Sequence, residues 1–355
     1  MQALLRELME QQGNPCLTIA LNTHRHHPEN QQDRIHLKNL QNEAVREMEA
    51  KWEKEVCRAI GDRLETLVEE IDHESNLDSL LIFVNPDFTQ IKRLPIPVIN
   101  RVAAGERFYL RDLFRVLQYK QRYYVLVLSR DKARLLKANM QELEEEVQEG
   151  FPFENQDLFT TDTFKLSTNK GQDNLIEEFF NRVDKDFQEV WLKDRLPLVV
   201  CTEERNFFHF EKVADRKKLI IGHLNMNRLD EKGNAIIRDA WPIARAYNQA
   251  KYADRISELK RTVSSGKAFS DLNDIWKQVQ EGRGHILFVQ EDYLQPAVEQ
   301  NGQWAVLSPA SPPTPQADPD VLDRLMEMTY LLGGEIIFSD QKALAEFQGL
   351  GLVGR

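Results

Sequence analysis

TDTFKLSTNKGQDNLIEEFFNRVDKDFQEVWLK, residues 161–193, joins a polar loop to an amphipathic helix and decides how the central third of the chain folds. Ile176, Phe179, Phe180, Val183, Phe187, Val190 and Trp191 recur at three- and four-residue steps, so a helix here carries one apolar stripe that needs a packing partner. Asn174 followed three residues later by Glu177 is a capping-box arrangement, which predicts that the helix opens there. Residues 167–173 hold no apolar anchor and set Lys170 beside Gly171 and Gln172. The stretch therefore predicts a polar tip on a packed stalk. The same pattern also suits a solvated strand-to-helix turn in which Gly171 supplies backbone freedom.

The flanking segments predict a mixed sheet. YYVLVLSRDKARLLKAN (123–139) reads as a hairpin, and LPLVVC (196–201) and KLIIGHLN (218–225) read as strands. The acidic run QELEEEVQEG (141–150) reads as a solvated segment. From residue 239 to Gly266 the pattern is one long helix, with Pro242 in its first turn and the glycine at its end.

Toward the N-terminus, a helix over 2–12 ends at Gly13 and the strand CLTIALNT (16–23) follows, apolar enough for a central position. After the loop HRHHPENQQD, one long helix is expected from about residue 34, with Leu40, Ala44, Met48, Trp52, Val56, Ile60, Leu64, Leu67 and Ile71 on its stripe. SLLIFVNP (79–86) is a strand, QIKRLPIPV (90–98) a proline-interrupted edge strand and 111–117 a short helix, with Lys120 and Gln121 closing this first region. The last third predicts a helix over 269–281, strand 284–290, a β-like piece 301–307, helix 319–332, strand 334–339, helix 341–347 and a glycine-rich end, as a three-layer α/β/α arrangement. SPASPPTPQADP (308–319) should be an exposed, extended loop.

With 355 residues, 41% hydrophobic and 29% charged, the chain has the composition of a globular protein of two or three domains. No apolar run approaches the roughly 20 residues of a membrane span, and MQALLRELMEQQG reads as an amphipathic helix rather than a signal peptide, so a cytoplasmic location is expected. Cys16, Cys57 and Cys201 lack metal-type spacing and read as buried thiols in a reducing compartment. A net charge of −11 argues against wholesale polyanion binding but permits a local basic patch.

The segments CLTIALNTHR, RIHLKNLQNEA, LLIFVNPDFTQIKRLPIPV, GERFYLRDLFRVLQYKQRYYVLVLSRDKARLLKAN, RGHILFVQEDY, GGEIIFS and GLGLVGR, in that order, resemble the class 1 peptide-chain release factors of archaea and eukaryotes and the related pelota-type rescue proteins, in the form of their bacterial relatives. The resemblance covers nearly the whole chain through short segments. It implies three α/β domains: 1–118 as a release-factor-like N-terminal domain, 119–250 as a ribonuclease-H-like middle domain, and 251–355 as a domain like the kink-turn-binding ribosomal proteins. In that family the middle domain carries a Gly-Gly-Gln tip that helps place a water at the peptidyl-tRNA ester. Here Lys170 stands where the first glycine would be, so the implied catalytic residues shrink to Gly171 and Gln172. Lys38 and Asn39 are the residues of the first domain that match the codon-reading segment, and with Lys170 and Arg25 they are the implied RNA contacts. The partners implied are the ribosome, or tRNA and rRNA, with a protein partner at the third domain, no membrane and no cofactor.

The expectation that follows is a ribosome- or RNA-associated factor of release, rescue or hibernation type that acts mainly by binding. No self-contained catalytic constellation is present. An alternative is a peptidyl-tRNA hydrolase or nuclease using the middle domain, although the strands YVLVLS, LPLVVC and KLIIGHLN supply no carboxylate for a metal-dependent nuclease. A further alternative is a protein-interaction scaffold without RNA. His24, His26, His27, Asp33 and His36 could ligate a metal or, with Arg25, form a mildly basic loop that touches phosphate; no metal site is expected. Arg205, His209, Lys212, Arg216, Lys217 and Lys218, interleaved with Phe207, Phe208 and Phe210, read either as an RNA contact or as a strand with Phe208 and Phe210 facing inward. His285 is expected at a strand edge, and the glycine-rich end lacks the lysine of a phosphate cradle.

Overall fold

The structure, a computed structural model, describes residues 1–25, 27–119, 121–155, 169–308 and 316–355. His26, Lys120, the loop residues 161–168 and residues 309–315 of the proline-rich loop lie outside the described residues. The chain forms two compact units, Met1–Gln118 with Ile256–Arg355, and Tyr119–Arg255.

The first unit opens with α1 (Gln2–Glu10), β1 (Gln12–Asn22), α2 (Gln31–Glu49), α3 (Lys54–Glu70), β2 (Ser79–Val84), β3 (Thr89–Leu94), β4 (Arg101–Arg107) and α4 (Arg111–Tyr119). The strands form an antiparallel sheet in the order β3-β2-β1-β4. β1 is central, as its apolar run predicts, and proline-flanked β3 lies at an edge. β1 begins earlier than expected, at Gln12, with an irregularity in its pairing to β4 between Gln12 and Cys16.

The single helix expected from residue 34 is two helices. Positions four apart advance about 400° around a helix of 3.6 residues per turn, so the stripe drifts about 40° per step. From Leu40 to Ile60 that amounts to about 200°, which would carry the apolar face to solvent. The break at 50–53 resets it. Leu40, Ala44 and Met48 of α2 and Cys57, Ile60, Leu64 and Val68 of α3 then all pack on Leu17, Ile19 and Leu21 of β1 and their neighbours in β2.

The second unit holds β5 (Arg122–Leu128), β6 (Lys132–Asn139), β7 (Glu142–Val147), β8 (Phe153–Glu154), α5 (Asn169–Lys193), β9 (Leu198–Thr202), α6 (Glu204–Val213), β10 (Ile220–Asn225) and α7 (Gly233–Thr262), whose last residues from Ile256 belong to the first unit. The sheet order is β10-β9-β5-β6-β7, parallel on the β9 side of β5 and antiparallel on the β6 side. Strand alternation gives it two buried faces. Tyr124, Leu126, Leu198 and Val200 meet the α5 stripe, while Tyr123, Val125, Val199 and Cys201 meet Ile236, Ile237, Ala240 and Trp241 of α7.

Two sequence expectations are corrected here and one is extended. The acidic run is solvated, as expected, and is also β7, an edge strand whose carboxylates take Arg partners: Arg134 Nε reaches Glu146 at 2.8 Å and Arg122 Nε reaches Glu144 at 2.9 Å. Charges along an edge suit it because they discourage pairing with another chain. Residues 206–213 belong to helix α6 rather than a strand, so Phe210 is buried and Phe208 is 65% exposed instead of both facing inward. α7 starts six residues before residue 239, which puts Pro242 in its interior.

The first unit is completed by β11 (Ala268–Phe269), α8 (Leu272–Gln280), β12 (Gly284–Gln290), the hairpin β13 (Ala297–Gln300) and β14 (Gln303–Val306), α9 (Val321–Leu331), β15 (Glu335–Ser339) and β16 (Leu350–Gly354). Their main sheet is mixed, in the order β11-β16-β12-β15. The helix expected over 341–347 is only a 3-10 turn, Ala345–Phe347, and the glycine-rich end is strand β16. Gly351 is needed there because a Cβ would lie 2.9 Å from Leu259 Cδ2. Cys16, Cys57 and Cys201 are all buried, and burial pushes the Cys201 thiol up to about 11.

An arginine-rich run, from Arg101 to Arg115, joins the N-terminal sheet to the C-terminal region within this unit. Arg111, 1% exposed, donates from Nε to Asp320 at 2.8 Å and from Nη2 to the Tyr293 carbonyl at 2.8 Å. Arg107 reaches Glu327 at 2.6 Å, and Arg115 reaches Glu291 at 3.3 Å. Asp323 of α9 accepts the Leu110 and Arg111 amides at 2.8 and 2.6 Å, which caps the N-terminus of α4 from 212 residues away.

Candidate nucleic-acid interface

The backbone of Asn169, Lys170, Gly171 and Gln172 is helical, so these residues form the first turn of α5 instead of the loop before it. Asn174 is therefore inside the helix and not its cap. What the apolar stripe does is as expected: Ile176, Phe179, Phe180, Val183, Phe187 and Val190 are buried and Trp191 packs beside them. Just beyond the first turn, α5 is clamped to α6. Lys212 Nζ donates to both oxygens of Glu177 at 2.7 and 2.8 Å, His209 Nδ1 lies 3.0 Å from Glu177 Oε1, and Arg205 Nη2 lies 2.9 Å from Asp173 Oδ1. The hydrogen bonds from Lys212 and His209 hold the Glu177 carboxyl below the usual carboxylate range.

This clamp settles part of the basic segment. Arg205, His209 and Lys212 are spent on α5 carboxylates, and Arg216 lies over the Trp191 ring at 4.6 Å. Lys217 and Lys218 are exposed on a 3-10 turn, and Phe207 stacks on His223 with ring centroids 4.1 Å apart. Neither the carboxylate partners nor the ring contacts have a spacing signal, because α5 and α6 meet only through the fold.

In the first unit one buried carboxylate fixes the segment that leads to Arg25. Asp33, fully buried near the start of α2, accepts the His24 amide at 2.9 Å and the Asn76 Nδ2 at 3.0 Å, and its Oδ1 lies 2.8 Å from His24 Nδ1. It thereby pins the chain leaving β1 to the start of α2. Arg25 follows, held by Asp78 through Nε at 2.6 Å and Nη2 at 2.8 Å. Lys38 and Asn39 are exposed on α2, beside Ile35, which is 62% exposed. Of the histidine group, His24 and Asp33 come together, His36 is exposed on the helix, and no group of three possible metal ligands forms among the described residues. Asp33, which does the positioning, was read only as a possible ligand. His285 is the second residue of β12 and is exposed.

A sheet of mixed sense, two helices clamped just beyond the turn that holds Gly171 and Gln172, and an exposed polar helix face in a separate unit describe an α/β protein of two compact units. Residues 122–283 match the model of the bacterial archaeo-eukaryotic release factor family 3. No functionally curated protein matches the chain.

Solved structures similar to it include the archaeal translation termination factor aRF1, 16% identical, covering 100% of this chain and 96% of that one, with a TM-score of 0.26. Dom34 of S. cerevisiae, described as a translation termination-like factor that interacts with Hbs1, is 11% identical over 78% of this chain and 72% of that one, with a TM-score of 0.41. A ribosome-bound archaeal Pelota is 11% identical over 100% of this chain and 93% of that one, with a TM-score of 0.44. Among the described residues no helix is long and apolar enough to cross a membrane.

Proposed function

We propose that this chain is a translation factor of release, rescue or hibernation type that acts by occupying the ribosome or structured RNA. The carrying observation is the family match over residues 122–283, a stretch that contains the mixed sheet and the helix opening with Lys170-Gly171-Gln172. On this reading residues 1–118, 119–250 and 251–355 are three domains. The first meets RNA through Arg25, Lys38 and Asn39, the second reaches toward the tRNA acceptor end through Lys170, and the third offers a protein-docking face. The site of action is the cytoplasm, with the ribosomes. Binding is favoured over self-contained chemistry because the ionisable groups nearest the first turn of α5 neutralise one another across α5 and α6. Sedimentation with purified ribosomes over a salt series tests the proposal. Pelleting at low salt that weakens steeply as salt rises is expected, and failure to co-sediment even at low salt overturns it.

A hydrolytic role is the second reading. It is favoured by the position of Gly171 and Gln172 in the first turn of a helix, where backbone N–H groups have no intrahelical acceptor and can hold an oxyanion. Release of a labelled peptide from stalled ribosomes that vanishes with Gln172→Ala supports it; unchanged release removes Gln172 from the chemistry.

A further inference from the structure

A cleft of about 1130 Å³ lies wholly within the first unit, lined from α1, the break after α2, β4, α8, the β13–β14 hairpin and α9. It exceeds the roughly 300–1,000 Å³ of small-molecule sites, so it suits a stretch of polymer. Its apolar wall comes from Trp52, Trp276, Trp304, Met328, Leu331 and Leu332. Leu331 and Leu332 are 64% and 43% exposed, although α9 buries Val321, Leu322, Leu325 and Met326. The end of that helix thus keeps apolar surface at the cleft.

The charged residues of the lining are matched to one another. Arg107 donates from Nη1 to Glu327 at 2.6 Å, and Arg324 lies 4.0 Å from Glu299 and 5.6 and 5.7 Å from the Trp276 and Trp304 rings. Lys51 donates to the Ala104 carbonyl at 3.3 Å and lies 5.8 Å from the Trp52 ring. Asp318 Oδ1 accepts the Tyr109 hydroxyl and the Asp320 amide, both at 3.0 Å. The carboxylates of Glu106, Glu299, Asp318 and Glu327 outnumber the cations of Lys51, Arg107 and Arg324, so the cleft does not gather phosphate or an acidic peptide.

Hydrogen-bond donors are what remains. Trp191 gives its indole N–H to the Leu196 carbonyl at 3.1 Å, but those of Trp52, Trp276 and Trp304 have no acceptor among the described residues. Arg107 Nη2 also lacks one. Of the lining carboxylates, only that of Glu106 has no partner among the described residues. The cleft is therefore apolar, rich in unused donors and poor in unused acceptors. An α-helical segment bonds its carbonyls internally except in its last turn and leaves those donors unmet. An ordinary extended peptide or a nucleobase brings N–H groups of its own, for which this lining offers few acceptors. A polyproline-II run of prolines presents carbonyls that make no internal bonds and carries no N–H, and its rings pack on aromatic surface.

We propose that this cleft docks a proline-rich segment of a partner protein in polyproline-II form, with its rings against Trp52, Leu331 and Leu332 and its carbonyls on the unused indole N–H groups. It rests on the translation-factor reading only for the protein-docking face assigned to residues 251–355; the measurement uses no ribosome, so loss of peptide binding and loss of co-sedimentation are separate results.

The test follows the anisotropy of a fluorescein-labelled nonaproline peptide titrated with the full chain, beside a Gly-Ser peptide of equal length, an amphipathic Ala-Leu-Lys helix peptide and an RNA hairpin. Saturable binding of nonaproline alone is expected. Trp52→Phe and Trp276→Phe keep an aromatic ring and remove the N–H, and each should weaken binding by about three- to tenfold. Leu331→Ser/Leu332→Ser changes exposed side chains, should leave the melting temperature unchanged, and should weaken binding by about tenfold or more. Absence of nonaproline binding, or binding that none of these variants weakens, overturns the proposal, as does tighter binding of the helix or the RNA that the leucine variant abolishes. Binding that appears only after Pro309, Pro312, Pro313 and Pro315 are replaced by serine assigns the cleft to the chain's own proline-rich loop and overturns the partner.

Discussion

Asp323 offers the sharpest perturbation, Asp323→Asn. The side chain is fully buried; Oδ1 accepts the Leu110 and Arg111 amides at 2.8 and 2.6 Å, and Oδ2 has no hydrogen-bond partner. Burial pushes its carboxyl up to about 7, with Arg107, Arg101 and Arg111 offsetting part of that. An acid whose folded value lies above its unfolded value binds its proton more tightly when folded. Stability is therefore complete below about pH 4 and declines as pH rises from there to about 7. A shift of roughly three pH units corresponds to a decline on the order of 4 kcal/mol. Asparagine keeps the acceptor for both amides and cannot ionise, while its own NH2 sits where Oδ2 had no partner and costs roughly 1–3 kcal/mol. The variant should match the wild type near pH 5 and exceed it by about 1–3 kcal/mol near pH 8. Hydrogen exchange of the α4 amides and thermal melts at pH 5 and pH 8 measure this. Asp323→Ala, which strips the cap, should destabilise by roughly 2–6 kcal/mol where the wild-type carboxyl is protonated, 1–3 for each orphaned amide, and by less near pH 8, where the variant also escapes the wild type's ionisation penalty. An Asp323→Asn protein that loses stability at pH 8, or retains the wild-type pH slope, refutes the reasoning.

Glu177→Ala leaves Lys212 and His209 without their shared acceptor, and a half-exposed pair of this kind should lower the melting temperature by roughly 2–4 °C. Because the Glu177 carboxyl is held down in the folded chain, the gap from wild type should be constant from about pH 5 to pH 8 and close as pH falls through the lowered value, as melts at pH 3 and pH 7 show. Gly222→Ala places a Cβ 2.3 Å from Ile243 Cγ2, which should cost about 1–3 kcal/mol in urea unfolding and be relieved in part by Ile243→Ala.

What was legible in the sequence follows a physical rule. Strands whose apolar residues face both sides of a sheet, such as Tyr123 to Leu128 and Leu198 to Cys201, announce themselves because burial on both faces leaves no polar position. β4 does not: Ala103, Ala104 and Gly105 are small, and what holds it is pairing to β1. β7 was hidden by its glutamates, since an edge strand is specified by its partner's backbone and tolerates charge on its side chains. α6 was misread because Phe208 and Phe210 alternate at the strand period while Phe207 and Phe210 are spaced for a helix, and three aromatics cannot discriminate the two. The start of α5 was displaced by a capping box that the structure does not use; Glu177 is bound to α6 instead. At the candidate interface, Lys38 and Asn39 were within reach of the sequence, but the dependence of Arg25 on Asp78 and of His24 on Asp33 was not, as each pair is joined only by folding.

The same distinction separates the two kinds of arginine in this protein. Arg111 is 1% exposed, and its donors go to Asp320 and to the carbonyls of Gln290 and Tyr293, so removing it would leave several buried acceptors and a carboxylate unmatched. Its purpose is internal, and stability is where its loss would register. Arg238 and Arg245 have no such partners among the described residues, and the helix beneath them is packed without their help. An exposed arginine on an acidic protein gains from pairing with a nearby carboxylate, and this unit supplies many. Arg238 and Arg245 forgo that gain, so their replacement should change stability by no more than about 0.5 kcal/mol.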